Sequence, residues 1–139
     1  MPNLYQGSNV KVLKDKDFDL KNKRIKNHDG SLGYLKMYAD WCPHCQDKVD
    51  RWSFLADEFL NSVDNFRVYA SNIEEDAPQA AGILGVSTIP SFFEVHEDGS
   101  LTKYEGKFSL PDLLGNFCES RNKFCDYKKL CQKKPEFCL

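Results

Sequence analysis

Residues 38–45 read YADWCPHC and place two thiols, Cys42 and Cys45, three positions apart, where an apolar segment gives way to a polar one. A cysteine at the start of a helix faces unpaired backbone N–H groups and the positive end of the helix dipole, and both favour its thiolate. Cys45, one turn later, can attack whatever Cys42 has captured. Pro43 suits the first helical turn because its missing N–H would have no partner there. The pattern predicts a dithiol that makes and breaks a disulfide.

The segments on either side predict a strand, a helix and a second strand around the cysteines. Residues 32–39 (LGYLKMYA) are mostly apolar, as expected of a strand covered on both faces. Apolar residues then recur at helical spacing over 49–60, and residues 66–70 (FRVYA) predict the next strand. In this context a CxxC pair has a redox meaning.

The rest of the chain continues this α/β alternation. The predicted elements are a strand over 10–13, a helix over 77–84 capped by Gly85, strands over 91–95 and 101–104 that form a hairpin, and a helix from Leu110. Residues 15–27 are charged and give no clear prediction.

Three stretches, YADWCPHC (38–45), STIPSFF (87–93) and YEG (104–106), resemble the thioredoxin superfamily in order and separation. The resemblance includes the catalytic domains of protein disulfide isomerases, although Pro-His between the cysteines is more similar to bacterial disulfide oxidases. It implies a thioredoxin-like α/β fold over residues 1–117, with a central mixed sheet flanked by helices. It also implies a cis bond before Pro90, beside the active disulfide, and substrate contacts by Trp41, Ile89 and Pro90.

Two further residues are predicted to tune the redox chemistry. His44 can place a charge or an N–H donor near the Cys42 sulfur, which stabilises the reduced form and makes the disulfide a better oxidant; a solvated histidine without effect is the alternative. At Lys36, six residues before the first cysteine, the family usually has a buried acid that moves the proton of the second cysteine. A lysine buried there must be neutral or paired, with Asp40 or a carboxylate on the neighbouring strand as candidates. Water or Lys36 itself would then assist Cys45.

A Cys-rich, basic C-terminal extension follows over residues 118–139. Its cysteines are Cys118, Cys125, Cys131 and Cys138. Two structural disulfides are the favoured interpretation, ahead of a second redox relay, a zinc site and free thiols. Seven residues of straight helix span about 10.5 Å, beyond the roughly 7 Å that a disulfide allows. This distance disfavours the sequential pairing. Cys118 with Cys138 and Cys125 with Cys131 are both centred on Lys128, so an antiparallel hairpin there predicts nested bridges, and a tail that bends differently would give the crossed pairing instead.

Composition narrows the class of protein. A chain of 139 residues makes one domain with its extension, and it has no apolar run near 18 residues that could span a membrane. The net charge is −2, with −8 over residues 31–117 and +3 at each end, which is too weak to predict nucleic-acid binding. The start lacks the layout of a signal peptide, which favours cytoplasmic synthesis. The tail cysteines instead suit an oxidising setting such as a secretory lumen, a periplasm or a virion.

The predicted function is a thiol–disulfide oxidoreductase that oxidises, isomerises or reduces protein disulfides through Cys42 and Cys45. Cys42 is expected to be the exposed thiol and Cys45 the shielded one. We expect a monomer with no metal and no cofactor beyond its redox-active disulfide. Its partners would be protein or peptide thiols and a thiol oxidase or reductase that resets the site. The alternative is a non-catalytic binding module whose CxxC is a structural or regulatory disulfide.

Overall fold

The structure is a computed structural model that describes residues 5, 8–43, 49–59, 66–106 and 112–113. Its elements, in chain order, are β1 (Lys11–Val12), a 3-10 turn (Asp15–Asp17), β2 (Phe18–Asp19), β3 (Arg24–Ile25), β4 (Leu32–Tyr38), α1 (Val49–Phe59), β5 (Phe66–Asn72), α2 (Pro78–Ile83), β6 (Ser91–Val95) and β7 (Leu101–Tyr104).

A five-stranded sheet in the order β1-β5-β4-β6-β7 forms the centre of the described residues. β1, β5 and β4 run parallel, whereas β6 is antiparallel to β4 and β7 is antiparallel to β6. All seven residues of the central strand β4 are buried, which explains its nearly continuous apolar sequence. The prediction of a mixed sheet is confirmed.

The two faces of the sheet pack against different helices. Tyr34 and Tyr38 of β4 belong to one apolar cluster with Trp52 of α1. Leu35 and Met37 belong to a second cluster. This cluster also contains Ala80 and Ala81 of α2 and Ala77, the residue before it. This division follows from the two-residue alternation of side chains along a strand. The two helices therefore cover opposite faces of the sheet.

The helix α2 receives its N-terminal cap from a distant segment. The carboxylate of Asp15 accepts hydrogen bonds from the backbone N–H groups of Gln79 at 3.2 Å and Ala80 at 2.9 Å. These N–H groups have no partner within the helix, so the carboxylate satisfies them. At the other end Gly85 adopts a φ of +74° and reverses the chain, which agrees with its predicted capping role.

The charged segment that gave no prediction forms the 3-10 turn and a small antiparallel sheet of β2 and β3. Phe18 and Ile25 face each other across this sheet, and both are buried in the α2-side cluster. The two apolar side chains hold the segment against the domain.

The C-terminal predictions fall largely outside the described residues. Asp112 and Leu113 are helical, and Leu113 is buried in the α1-side cluster, but the helix predicted from Leu110 is otherwise not described. The Cys-rich extension over 118–139 also lies outside the described residues. None of the described helices combines the length and the apolar character that a membrane crossing requires.

Candidate active site

The first cysteine of the CxxC pair directly follows the turn that ends the central strand. Asp40 and Trp41 form this turn, and the backbone N–H of Cys42 donates to the carbonyl oxygen of Ala39 at 3.2 Å. Pro43 is already helical. Cys42 therefore stands immediately before a helical residue, which is the position that the sequence predicts. Residues 44–48, which include His44 and Cys45, lie outside the described residues.

A second segment, distant in sequence, meets Cys42 at this edge of the sheet. The Cys42 Sγ lies 3.8 Å from the carbonyl oxygen of Ile89, and the Ile89–Pro90 peptide bond is cis. Ile89 is partly buried and packs against the cluster that contains Cys42. The structure thus brings the candidate nucleophile next to the residue that precedes Pro90.

The prediction that the Cys42 thiol is exposed is wrong. Only 4% of the Cys42 surface is exposed, because its side chain packs into the apolar cluster with Tyr38 and Ala39 and meets the Ile89 carbonyl. Any reacting group must therefore approach Sγ over a small area.

Trp41, the neighbour of Cys42, has the opposite environment. Its side chain is 65% exposed, and its indole Nε1 donates a hydrogen bond to the carboxylate of Glu74. It borders a cleft of about 440 Å³ with Asp40, Asn72, Glu74 and Glu75. Trp41 thus places an exposed aromatic surface, beside negative charge, next to the buried sulfur.

Pro90 borders a second cleft, of about 460 Å³. Pairing of Phe92 with Tyr104 brings the quoted stretches 87–93 and 104–106 together, and both line this cleft. Burial raises the pKa of Tyr104. The negative charges of Asp112 and, to a smaller extent, Glu94 raise it further.

Lys36 is fully buried on the α1 side of β4. Its Nζ donates a hydrogen bond to the Tyr5 hydroxyl at 2.5 Å. The residues directly opposite Lys36 on the neighbouring strands are Ala70 and Phe92, so neither of these positions supplies the carboxylate that we considered. Tyr5 was missed because a contact across 31 residues leaves no local signal in the sequence.

Within the described part of the chain, His, Cys, Asp and Glu side chains do not gather in a group of three that could hold a metal ion. The expectation of a site without metal stays a prediction, since two of the candidate residues, His44 and Cys45, are not described.

The chain is similar in sequence to several curated proteins. Over 88 residues the chain is 28% identical to Thioredoxin-related transmembrane protein 4 of Mus musculus. This match covers 63% of this chain and 25% of that protein. Over 113 residues it is 25% identical to Protein disulfide-isomerase A2 of Mus musculus. This match covers 80% of this chain and 20% of that protein. The chain therefore spans a quarter or less of the length of these relatives.

Among solved structures, the first thioredoxin domain of mouse Protein disulfide-isomerase A4 matches with a TM-score of 0.64 and 21% identity, over 83% of this chain and 76% of that one. This likeness shows the fold. Residues 9–118 also match the Thioredoxin family, which is most of the chain and includes both the CxxC pair and the segment before Pro90. The chain therefore belongs to the thioredoxin family.

Proposed function

We propose that this protein is a thiol–disulfide oxidoreductase that acts on protein or peptide cysteines through Cys42 and Cys45. The observation that carries the proposal is the 3.8 Å approach of Cys42 Sγ to the carbonyl oxygen of Ile89, at the edge of the sheet where β4 ends. A binding scaffold does not require a cysteine at the start of a helix to meet the segment before Pro90. The membership in the thioredoxin family supports the same chemistry.

The proposed reaction exchanges two electrons without another cofactor. In the oxidising direction, a substrate thiolate attacks the Cys42–Cys45 disulfide at Cys42, and Cys45 leaves as a thiolate that takes up a proton. A second substrate thiolate then attacks the substrate sulfur of this mixed disulfide and releases Cys42. The substrate is oxidised to its disulfide and the protein is reduced to its dithiol. In the reverse direction Cys42 attacks a substrate disulfide and Cys45 resolves the intermediate.

We assign substrate contact to the residues around the sulfur. Trp41 offers an exposed ring in the residue next to Cys42, and the Ile89 carbonyl, directly before Pro90, lies 3.8 Å from the sulfur. An extended substrate segment that crosses here would bring its own cysteine to Cys42 Sγ. Since only a small part of Cys42 is exposed, such a segment must be held closely for reaction. After each cycle, a thiol oxidase or reductase restores the starting state.

Two assays of one protein preparation test the proposal. Reduction of insulin by dithiothreitol and oxidation of a reduced, unfolded protein substrate are followed with wild type and with a Cys42→Ser variant. We expect wild type to accelerate at least one reaction and the variant to accelerate neither, while circular dichroism shows the same fold. Wild type no faster than the variant in both assays would instead support the non-catalytic binding module.

A further inference from the structure

A charged side chain lies in the core, on the strand that ends at the candidate active site. Lys36 is 0% exposed and ranks with Trp52, Tyr34 and Tyr38 among the largest fully buried side chains of the described residues. Burial of an ammonium group is costly unless other groups compensate for the lost water. A lysine that remains in such a position therefore needs partners that stabilise its charge.

Two tyrosines contribute to this stabilisation. The Lys36 Nζ lies 5.3 Å from the ring centroid of Tyr5 and 5.7 Å from that of Tyr38, and it donates to the Tyr5 hydroxyl. The two rings meet edge to face at 5.4 Å. The Tyr5 hydroxyl oxygen, which accepts the hydrogen bond, and the Tyr38 ring both favour the charged form of the lysine.

Hydrogen bonds from Ser8 hold the backbone of Tyr5 in this position. Tyr5 is 2% exposed, and its carbonyl oxygen accepts hydrogen bonds from the backbone N–H of Ser8 at 3.1 Å and from the Ser8 hydroxyl at 2.7 Å. The next residue, Asn9, donates through its side-chain amide to Asp57 of α1 at 2.9 Å. Asn9 is thus bonded to the helix that packs on the Lys36 side of β4.

This pair lies on the active-site face of the sheet. Lys36 and Tyr38 are two residues apart on β4, so their side chains emerge from the same face roughly 6.6 Å apart. Tyr5, Tyr38 and Cys42 belong to one apolar cluster. Through Tyr5 and Tyr38, Lys36 thus contacts the same packed cluster to which Cys42 belongs, and a charge acts more strongly through packed side chains than through water.

We propose that Lys36 and Tyr5 form a buried positioning pair that sets the reduction potential of the Cys42–Cys45 couple. The proposal rests on the oxidoreductase function proposed above. A fixed positive charge stabilises the thiolate of the reduced state and has no anion to stabilise in the disulfide state. It therefore raises the reduction potential and makes the disulfide more oxidising. Tyr5 contributes by keeping the lysine charged and aimed into the cluster.

The test measures the equilibrium of the full chain with reduced and oxidised glutathione at pH 7. Acid quenching, alkylation and peptide mass mapping read the state of Cys42 and Cys45 apart from the other cysteines. The variants are Lys36→Met, which keeps the apolar stem, and Tyr5→Phe, which keeps the ring. Tyr34→Phe is the matched control, because it also removes a buried hydroxyl from this face, but one that donates to the Leu113 carbonyl at 2.7 Å.

We expect Lys36→Met to change the equilibrium constant about tenfold toward the disulfide, which corresponds to about 30 mV for a two-electron couple. Tyr5→Phe should shift it in the same direction by a smaller factor, and Tyr34→Phe should leave it within twofold of wild type. Urea unfolding of each variant measures its loss of stability. A variant that is only less stable should keep the reduction potential of wild type.

Three results would overturn the inference. Equal potentials for wild type and Lys36→Met would show that the lysine only fills space, and equal shifts in Tyr5→Phe and Tyr34→Phe would show that hydroxyl loss acts nonspecifically. In both cases wild type still has a measurable potential, so the oxidoreductase proposal stands. If Cys42 and Cys45 of wild type do not respond to glutathione at all, both proposals fail together.

Discussion

The sulfur of Cys42 and the carbonyl oxygen of Ile89 lie 3.8 Å apart, although 47 residues separate them in the chain. Antiparallel pairing accounts for this contact, because Met37 near the end of β4 is opposite Ser91 at the start of β6. The turn that follows one strand and the segment that precedes the other therefore meet at the same edge of the sheet. The candidate site is a product of the sheet topology.

His44 is proposed to stabilise the reduced form of the active site. Replacement of His44 by Ala should remove a nearby positive charge or N–H donor and make the disulfide less oxidising, by roughly tenfold in the glutathione equilibrium, or about 30 mV. His96→Ala is the control, since His96 contacts Thr102 on the β6–β7 hairpin. A potential for His44→Ala equal to that of the control would show that His44 is merely solvated.

Two glycines provide a paired test of the packing. A Cβ built on Gly33 would lie 1.8 Å from the carbonyl oxygen of Arg67 on the adjacent strand, whereas a Cβ on Gly82 of α2 would meet nothing within 4 Å. We expect Gly33→Ala to lower the free energy of unfolding by roughly 3 kcal/mol or more, because the central strands must separate. Gly82→Ala should raise it by about 0.5–1 kcal/mol. Urea denaturation measures both, and equal stability of the two variants would contradict the strand packing.

Because Asp15 caps α2 from a distant part of the chain, its substitution should destabilise the protein. Asp15→Ala should remove the acceptor for the Gln79 and Ala80 N–H groups and lower the free energy of unfolding by about 1 kcal/mol. Lys16→Ala is an exposed control in the same turn and should have little effect. The account of the cap fails if the two substitutions cost the same.

Tyr69 predicts a loss of stability at alkaline pH. Burial raises its pKa from the ordinary value of 10.0 to about 12, with the Asp29 charge acting in the same direction and Arg67 opposing it. The folded state therefore favours the protonated phenol, and this contribution, fully present below pH 10, is lost as the pH rises toward 12. Tyr69→Phe cannot ionise, so its urea midpoint should fall less between pH 9 and pH 12. Parallel curves for variant and wild type would rule out this role.

The parts of the fold with continuous local patterns could be predicted from the sequence. The strands over 91–95 and 101–104 are found with the predicted bounds, and the strand predicted over 32–39 ends one residue earlier, at Tyr38. Their apolar runs and the turn between the last two strands are visible without knowledge of the neighbours. The small β2–β3 sheet was missed because two-residue strands in a charged segment leave no periodic signal.

The polar contacts between distant segments could not be predicted. The bond from Lys36 to Tyr5 and the cap from Asp15 to α2 join positions 31 and about 65 residues apart, and sequence spacing carries no information about such pairs. Cys42 was predicted to be exposed, and this prediction was wrong for a related reason. Its position before a helix is visible in the sequence, but the Ile89 segment that it meets comes from elsewhere in the chain.

The most direct test of the central claim is to trap the reaction intermediate. A Cys45→Ser variant is mixed with a disulfide-containing peptide, quenched in acid and mapped by mass spectrometry. Because the resolving thiol is absent, we expect a stable mixed disulfide between the peptide and Cys42, and none at this position in a Cys42→Ser variant. An adduct that forms only on other cysteines, or on no cysteine, would contradict the assignment of Cys42 as the nucleophile of a thiol–disulfide oxidoreductase.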